Sequence, residues 1–302
     1  MSTPIELDRV TKRYGDLTAV ADLTLVARAG EALGFLGPNG AGKTTAIRIL
    51  TGFLRPTTGA VHLLGHDLAD RRAALAARRD LGYVPDVAGL DATATGNWLL
   101  DDLARLQGRP PLDRAALIDA LELNARDLRR PMGRLSRGTR QKINIVQGLQ
   151  HRPDVLILDE PTEGLDPLAK RALFRLLEVA RARGATLFFS SHVLSEVEEL
   201  CDRVALIRRG RLVAVDEIAA LRANLGRRVD LLPGGVVDMG AELAALPGVA
   251  EIVERDGRWQ FVAADLPALL ALLARLPVRD VTIQPPSLEE VFLSYYRIED
   301  VT

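Results

Sequence analysis

The chain has 302 residues, 48% of them hydrophobic and 26% charged, which is too long for one small module and fits one large or two ordinary domains with a real core. Its formal net charge is −1, so no basic excess exists to hold a nucleic acid by charge alone. The single cysteine, Cys201, excludes an intrachain disulfide and points to a reducing compartment.

The longest nearly apolar run, Leu266 to Val278, is short and carries Arg275, which excludes it as a transmembrane helix. Met1 to Asp8 has no basic stretch followed by an apolar one, and the expectation is that no secretory signal is present. The 39 basic residues are almost all arginine. Codon bias in a GC-rich genome accounts for that, and it makes a lysine at a motif position more informative.

In chain order, Glu31 to Leu36 reads as a strand and Thr44 to Thr51 as the helix after it. Between them, Gly37-Pro38-Asn39-Gly40-Ala41-Gly42-Lys43-Thr44 matches the G-x-x-x-x-G-K-[ST] pattern at every fixed position. Glycines let such a backbone curl so that its N–H groups cradle phosphate oxygens. The following helix adds its positive end. Lys43 is expected to neutralise the β and γ phosphates of a nucleotide, and the Thr44 hydroxyl to ligate Mg²⁺.

Asp91 to Gln150 is mostly helical in pattern and reads as an insertion. Val155 to Leu158 is an uninterrupted apolar run, as for a strand covered on both faces, and it ends in Asp159 and Glu160. Downstream of a phosphate loop, such a pair is expected to hold the Mg²⁺ shell (Asp159) and to orient or deprotonate an attacking water (Glu160). Lys170 to Arg183 has helical spacing. Thr186 to Ser190 and Val204 to Ile207 read as further buried strands. Strand, helix, strand in succession predicts an α/β layer structure with mainly parallel pairing.

The pattern changes near Asn224-Leu225-Gly226, where a domain boundary is expected. From Gly226 onward seven basic face twelve acidic residues. Strands are predicted at Arg228 to Leu232, Val249 to Glu254, Trp259 to Ala263 and Val278 to Gln284. The middle two are joined by a tight turn at Asp256-Gly257. Helices are predicted at Ala241 to Leu246 and Leu266 to Leu276. The order β-α-β-β-α-β is ferredoxin-like. Ser287, with Glu290 three residues on, reads as the capping box of a last helix.

Leu135-Ser136-Arg137-Gly138-Thr139-Arg140-Gln141, with Ser136 as a good N-cap, completes a resemblance. With the phosphate loop and the Asp159-Glu160 pair, the chain resembles the ATP-binding cassette (ABC) ATPases over roughly residues 4 to 215. The fold this implies is a P-loop NTPase core with a helical subdomain, here about residues 88–150 of a nucleotide-binding domain at 1–222. A C-terminal accessory domain would occupy 226–302.

The resemblance implies ATP and Mg²⁺ as cofactors and a head-to-tail homodimer that sandwiches two ATPs. Gly37, Pro38, Asn39, Gly40, Ala41, Gly42, Lys43, Thr44 and Thr45 then bind ATP, and Tyr14 stacks on adenine. Ser136, Arg137, Gly138 and Gln141 act as the signature on the nucleotide of the other subunit. Asp166 belongs to the loop that crosses the dimer interface. Glu160, Lys43 and His192 are catalytic, and Thr44, Asp86 and Asp159 surround the metal.

Three features depart from the family pattern. Asp86 stands where Gln or Glu is usual, shorter by about 1.5 Å of reach. Glu163 replaces a small or amide residue. The signature carries Arg137 and Thr139 in place of the Gly-Gln form of importers. Pro286-Ser287-Leu288-Glu289-Glu290-Val291-Phe292-Leu293 is similar to the ending of daunorubicin-resistance-type exporter subunits. Those subunits work with a separate ABC-2-type permease, which implies a cytoplasmic subunit held on the inner face of the membrane. Two rival readings are a soluble non-transport ABC ATPase and a nucleotide-binding regulator that has lost hydrolysis.

Overall fold

Strands with alternating burial open the chain. β1 (Ile5–Tyr14) hides Ile5, Leu7 and Val10, and β2 (Leu17–Ala27) hides Val20, Leu23, Leu25 and Ala27, the period-2 signature of a sheet with one face in the core. The two pair antiparallel, and β4 (Thr58–Leu63) and β5 (His66–Asp67) complete a four-stranded sheet in the order β2-β1-β4-β5. The sequence reading did not anticipate this sheet. Polar residues at every second position kept its strands from standing out as apolar runs.

The computed structural model describes residues 3–86, 91–224, 226–235 and 239–284. They divide into two units between Val215 and Asp216. In the first unit, β3 (Ala32–Leu36), β7 (Val155–Asp159) and β8 (Thr186–Ser191) are buried at every residue. With β6 (Leu81–Val84), β9 (Arg203–Arg208) and β10 (Arg211–Glu217) they form a six-stranded sheet in the order β10-β9-β3-β8-β7-β6. The pairs from β9 through β6 are parallel, as expected for strands joined by helical crossovers.

Those crossovers are α1 (Lys43–Leu50), α2 (Arg71–Arg79), α7 (Pro167–Ala182) and α8 (Leu194–Leu200). Between β6 and β7 lies the predicted helical stretch: α3 (Gly96–Gln107), α4 (Arg114–Ala120), α5 (Ala125–Leu128) and α6 (Arg137–Leu149). Leu7, Leu23, Phe35, Ile47, Ile157 and Phe188 meet in one fully buried cluster between the two sheets and α1. Each such side chain contributes about 1.5–3 kcal/mol relative to exposure. That cluster fixes the loop between β3 and α1 from beneath.

The second unit opens with α9 (Ile218–Asn224). It continues with β11 (Arg227–Pro233), α10 (Met239–Ala244), β12 (Val249–Arg255), β13 (Arg258–Ala263), α11 (Leu266–Leu273) and β14 (Val278–Gln284). The sheet order is β12-β13-β11-β14, all antiparallel, which is the arrangement expected of the ferredoxin-like order. Asp256 (φ 52°) and Gly257 (φ 75°) both turn left-handed between β12 and β13, as a two-residue hairpin requires. Its own core joins Val229, Leu231, Met239, Leu243, Phe261, Leu269 and Leu272. The helix predicted from Ser287 lies outside the described residues.

His151, just past α6, is buried. Burial pushes its imidazole down to about 4, against a smaller opposing effect of a backbone contact at Leu81. The unfolded chain therefore takes up a proton that the folded chain refuses as pH falls from about 6.5 toward 4. Stability is full above that window and is lost across it, by on the order of 3 kcal/mol at most. Chemical denaturation at pH 7.5 and pH 5 is expected to show a lower midpoint at pH 5. The difference is expected to shrink in His151→Gln.

Candidate functional site

Register puts the site together. Leu36 of β3 pairs with Ser191 of β8, and Asp159 of β7 pairs with Ser190 of β8. Three parallel strands therefore end at one level. The chain leaving each C-terminal end, where ligands bind in open α/β sheets, carries the phosphate loop, His192 and Glu160.

The loop's curl is sterically fixed. A Cβ on Gly37 would lie 2.3 Å from the Ile207 carbonyl oxygen. Gly42 has φ +106°, and a Cβ there would lie 2.5 Å from the Ala19 carbonyl oxygen. The Ala41 N–H donates to Pro38 (3.1 Å) and the Gly210 N–H to the Ala41 carbonyl (2.8 Å). α1 begins at Lys43, so the N–H groups of Lys43, Thr44 and Thr45 have no carbonyl one turn back and form the positive helix end.

These groups line a cleft of about 650 Å³ together with Tyr14, Asn39, Gly40, Asp86, Asp159, Glu160, Glu163 and Arg209, a size suited to a nucleotide. Tyr14 is 48% exposed, and the Lys12 ammonium lies 5.3 Å from its ring centroid. It offers a flat apolar face at the cleft mouth.

Lys43 is buried and donates to the Gly37 carbonyl at 2.6 Å and the Pro38 carbonyl at 3.3 Å. Its Nζ lies 3.2 Å from Glu160 Oε1. Glu160 Oε2 lies 2.8 Å from His192 Nδ1 and accepts from the His192 backbone N–H at 3.3 Å. The carboxylate is thus held from both sides. Its residue takes φ 48°, a left-handed conformation that a non-glycine residue adopts at a cost of about 1–3 kcal/mol. Glu160 N–H donates to Ser190 O, and Glu163 N–H donates to Glu160 O, both at 3.2 Å.

Asp159 is buried and accepts from the Ser190 hydroxyl at 3.2 Å. Burial raises its carboxyl above the usual range, partly offset by that hydrogen bond, and the neighbouring Glu160 charge adds to the rise. A cation beside it would reverse that shift, and Thr44 and Asp86 line the same cleft. This donor set of one hydroxyl and carboxylates suits Mg²⁺ shared with phosphates. Among the described residues there is no all-protein metal cage.

Ser136 caps α6, its Oγ accepting from the Thr139 N–H at 3.1 Å. The next turn packs on the loop after Glu160. The buried Gln141 donates to the Pro161 carbonyl at 2.8 Å. Arg137 lies 2.7 Å from Glu163 and 3.7 Å from Asp86, so three of the residues that depart from the family pattern form one cluster. The Asp166 carboxylate caps α7, accepting from Leu168 and Ala169 N–H at 3.0 and 2.9 Å. These bonds, the one from Ala169 foremost, hold it below the usual carboxylate range.

Comparison with known proteins follows this geometry closely. The family model "ABC transporter" matches residues 20–163, and the model "ATP-binding protein DrrA1-3-like, C-terminal domain" matches 217–296. The chain is 36% identical over 297 residues to the Nod factor export ATP-binding protein I of Burkholderia orbicola, covering 96% of each chain. The chain belongs to the ABC transporter ATP-binding proteins.

This ABC ATPase is also 34% identical to the daunorubicin resistance ATP-binding protein DrrA3 of Streptomyces coeruleorubidus, covering 96% of this chain and 95% of that one. A solved ATP-binding subunit of an ABC transporter matches with TM-score 0.67 at 31% identity, covering 73% of the cassette chain and 92% of the other. A dimeric bacterial ABC cassette matches in fold at TM-score 0.63 and 23% identity, covering 71% and 98%.

Two features of the cassette were not read from the sequence, Glu196 and the amides that continue beyond Gln141. Glu196 is buried, accepts from Ser191 and Thr162 hydroxyls at 2.8 Å each, and lies 3.0 Å from Lys170 Nζ. It ties the loop before His192 to the loop after Glu160. Gln141, Asn144, Gln147 and Gln150 form a second group, all buried on α6 and just beyond it. Asn144 donates to Pro85 O and Gln147 to Tyr83 O, each at 2.5 Å, and Gln150 donates to Leu100 O at 3.1 Å. Polar residues at steady three-residue spacing on a helix that must be buried were the available signal.

Gly42→Ala is expected to cost about 2–4 kcal/mol of stability and to abolish nucleotide binding, because strain and a clash coincide there. Gly40 has φ +80° but open space around it. Gly40→Asn is therefore expected to keep most of the stability. Denaturant midpoints and titration with a fluorescent ATP analogue check both variants.

Proposed function

We propose that this chain is the ATP-hydrolysing subunit of an exporter, working as a homodimer on a separate membrane permease of the ABC-2 type. The observation that carries this reading is the held carboxylate of Glu160, 3.2 Å from Lys43 and 2.8 Å from His192 Nδ1. That constellation suits phosphoryl transfer to water, in which positioning and electrostatics do most of the work.

Tyr14 stacks on the base, and the N–H groups from Gly40 to Thr45 surround the β and γ phosphates. Lys43 lies between them and Glu160. Thr44, Asp159 and Asp86, which line the same cleft, would hold Mg²⁺. The metal, when bound, supplies positive charge to the phosphate oxygens. Glu160 accepts the proton of the attacking water as the γ-phosphorus–oxygen bond to ADP breaks, giving ADP and phosphate. His192 keeps Glu160 aimed, because its ring and its backbone N–H grip the same oxygen. Ser136 and Gly138 start a helix whose N-terminal end would meet the nucleotide of the partner subunit, which makes each site composite.

Export is supported by the two relatives matched over 96% of this chain, named for Nod factor export and daunorubicin resistance. Among the described residues no helix is long and apolar enough to cross a membrane, which fits a subunit held on the inner face of the membrane by its permease. The C-terminal unit is read as an accessory domain that stabilises or regulates the dimer.

Glu160→Gln is expected to lower steady-state ATP hydrolysis by about 100-fold or more while keeping nucleotide affinity. Size analysis in ATP and Mg²⁺ is expected to show a dimer that accumulates in the variant. Turnover that survives the substitution would refute the assignment. Removing residues 226–302 is expected to weaken that dimer. Unchanged dimerisation and turnover would refute the accessory role.

A further inference from the structure

The cleft has an unusual balance of charge. Four carboxylates line it, from Asp86, Asp159, Glu160 and Glu163, against the two cations Lys43 and Arg209. Asp159 is buried, and Glu160 is held between Lys43 and His192. The other two, Asp86 and Glu163, are 51% and 42% exposed, so both stand at the open part of the cleft.

Arg137 reaches both. One guanidinium nitrogen, Nη2, lies 2.7 Å from Glu163 Oε1 and 3.7 Å from Asp86 Oδ1. Its stem lies across Gly164, where an added Cβ would meet Arg137 Cγ at 3.0 Å and Cδ at 3.1 Å. The turn it belongs to is fixed independently. Gly138 packs so close to the Gly164 carbonyl oxygen that an added Cβ would lie 2.6 Å from it, and Gln141 holds Pro161. A cation in the first turn of a helix opposes the helix dipole. A local rule broken in this way calls for a compensating interaction, and two carboxylates supply it.

We propose that Arg137 is a positioning residue for the nucleotide site of its own subunit. It holds Asp86 and Glu163 together and neutralises them beside the triphosphate. The proposal rests on the reading of this cleft as the ATP site. It differs from a signature role toward the partner's nucleotide because it acts through Glu163 and Asp86, and so depends on their charge.

The test is equilibrium binding of a fluorescent ATP analogue with Mg²⁺ to the full chain, with KM and kcat measured alongside. Arg137→Ala is expected to weaken binding and raise KM by about five- to tenfold, with a smaller effect on kcat. The defect is expected to shrink in high salt. Arg137→Lys, which keeps the charge, is expected to fall between. The decisive variant is Arg137→Ala with Glu163→Gln, expected to recover most of the lost binding because the carboxylate nearer to Arg137 is then neutral and only Asp86 is left unpaired. Unchanged binding in Arg137→Ala, or a defect that Glu163→Gln does not relieve, overturns the proposal. Lys43→Ala separates the two levels. If it binds nucleotide as well as wild type, the reading of the cleft itself fails. If it does not, while Arg137→Ala does, only the role of Arg137 fails.

Discussion

The chemistry of this chain depends on three parallel strands ending at the same level. The pairs Leu36 with Ser191 and Ser190 with Asp159 bring Lys43, His192 and Glu160 within contact although they are far apart in sequence. A slip of one residue in either ladder would reverse the faces of a strand and move Glu160 away from Lys43. The register is secured by burial on both sides. β3, β7 and β8 are hidden at every residue, so a slip would force every side chain of the strand to repack in a close-packed interior. The left-handed backbone at Glu160 is tolerable for the same reason. The strands beneath it and the hydrogen bond to Ser190 leave the residue no other course.

α6 extends this constraint sideways. Its buried amides, Gln141, Asn144 and Gln147, reach the carbonyls of Pro161, Pro85 and Tyr83. They also contact one another, with Asn144 Nδ2 3.4 Å from Gln141 Oε1 and Gln147 Nε2 3.1 Å from Asn144 Oδ1. One helix thus holds the loop after Glu160 and the loop that carries Asp86. Amides suit this place better than ions. A buried charge carries a large desolvation penalty, whereas an amide both donates and accepts and leaves no orphan when its partners are carbonyls. Gln150 continues the same stripe to Leu100 of α3 and accepts from Arg114 of α4 at 2.8 Å. The same helix therefore carries one set of contacts at Pro161 and another among α3 and α4.

Much of this was legible in the sequence where one local rule decides the outcome. The phosphate loop was, because Gly37 and Gly42 each meet a carbonyl that excludes any other residue. The buried strands were, because their apolar runs have no polar interruptions. The hairpin at Asp256-Gly257 was, because two left-handed residues in a row demand that chemistry. What was not legible depends on contacts between distant segments. The antiparallel sheet of β1, β2, β4 and β5 has bulges along β1, between Leu7 and Val10 and again near Lys12, which break the alternation a reader would count. Glu196 carries no local signal, and only the fold places two hydroxyls and Lys170 around it. The amide stripe lay within a stretch read only as helical, where glutamines pass as solvent-facing.

The departures at Asp86, Arg137 and Glu163 show the same division from the other side. Taken singly along the sequence, each looks like a fault: a carboxylate too short for its role, a cation at the wrong end of a helix, an acid near an interface. In the fold they are one object. The usual residues at these positions are glutamine or glutamate, glycine, and a small or amide residue. Relative to neutral residues there, the two acids together add two negative charges to the cleft, and Arg137 takes one away. None of the three is favourable alone. An unpaired Asp86 or Glu163 would repel an anionic ligand, and an unpaired Arg137 opposes the dipole of α6. Paired, each removes the cost of another, and the long arginine spans the distance that the short aspartate does not. A pattern position can therefore change its residue type while the local electrostatics stay workable, provided that its spatial neighbours change with it.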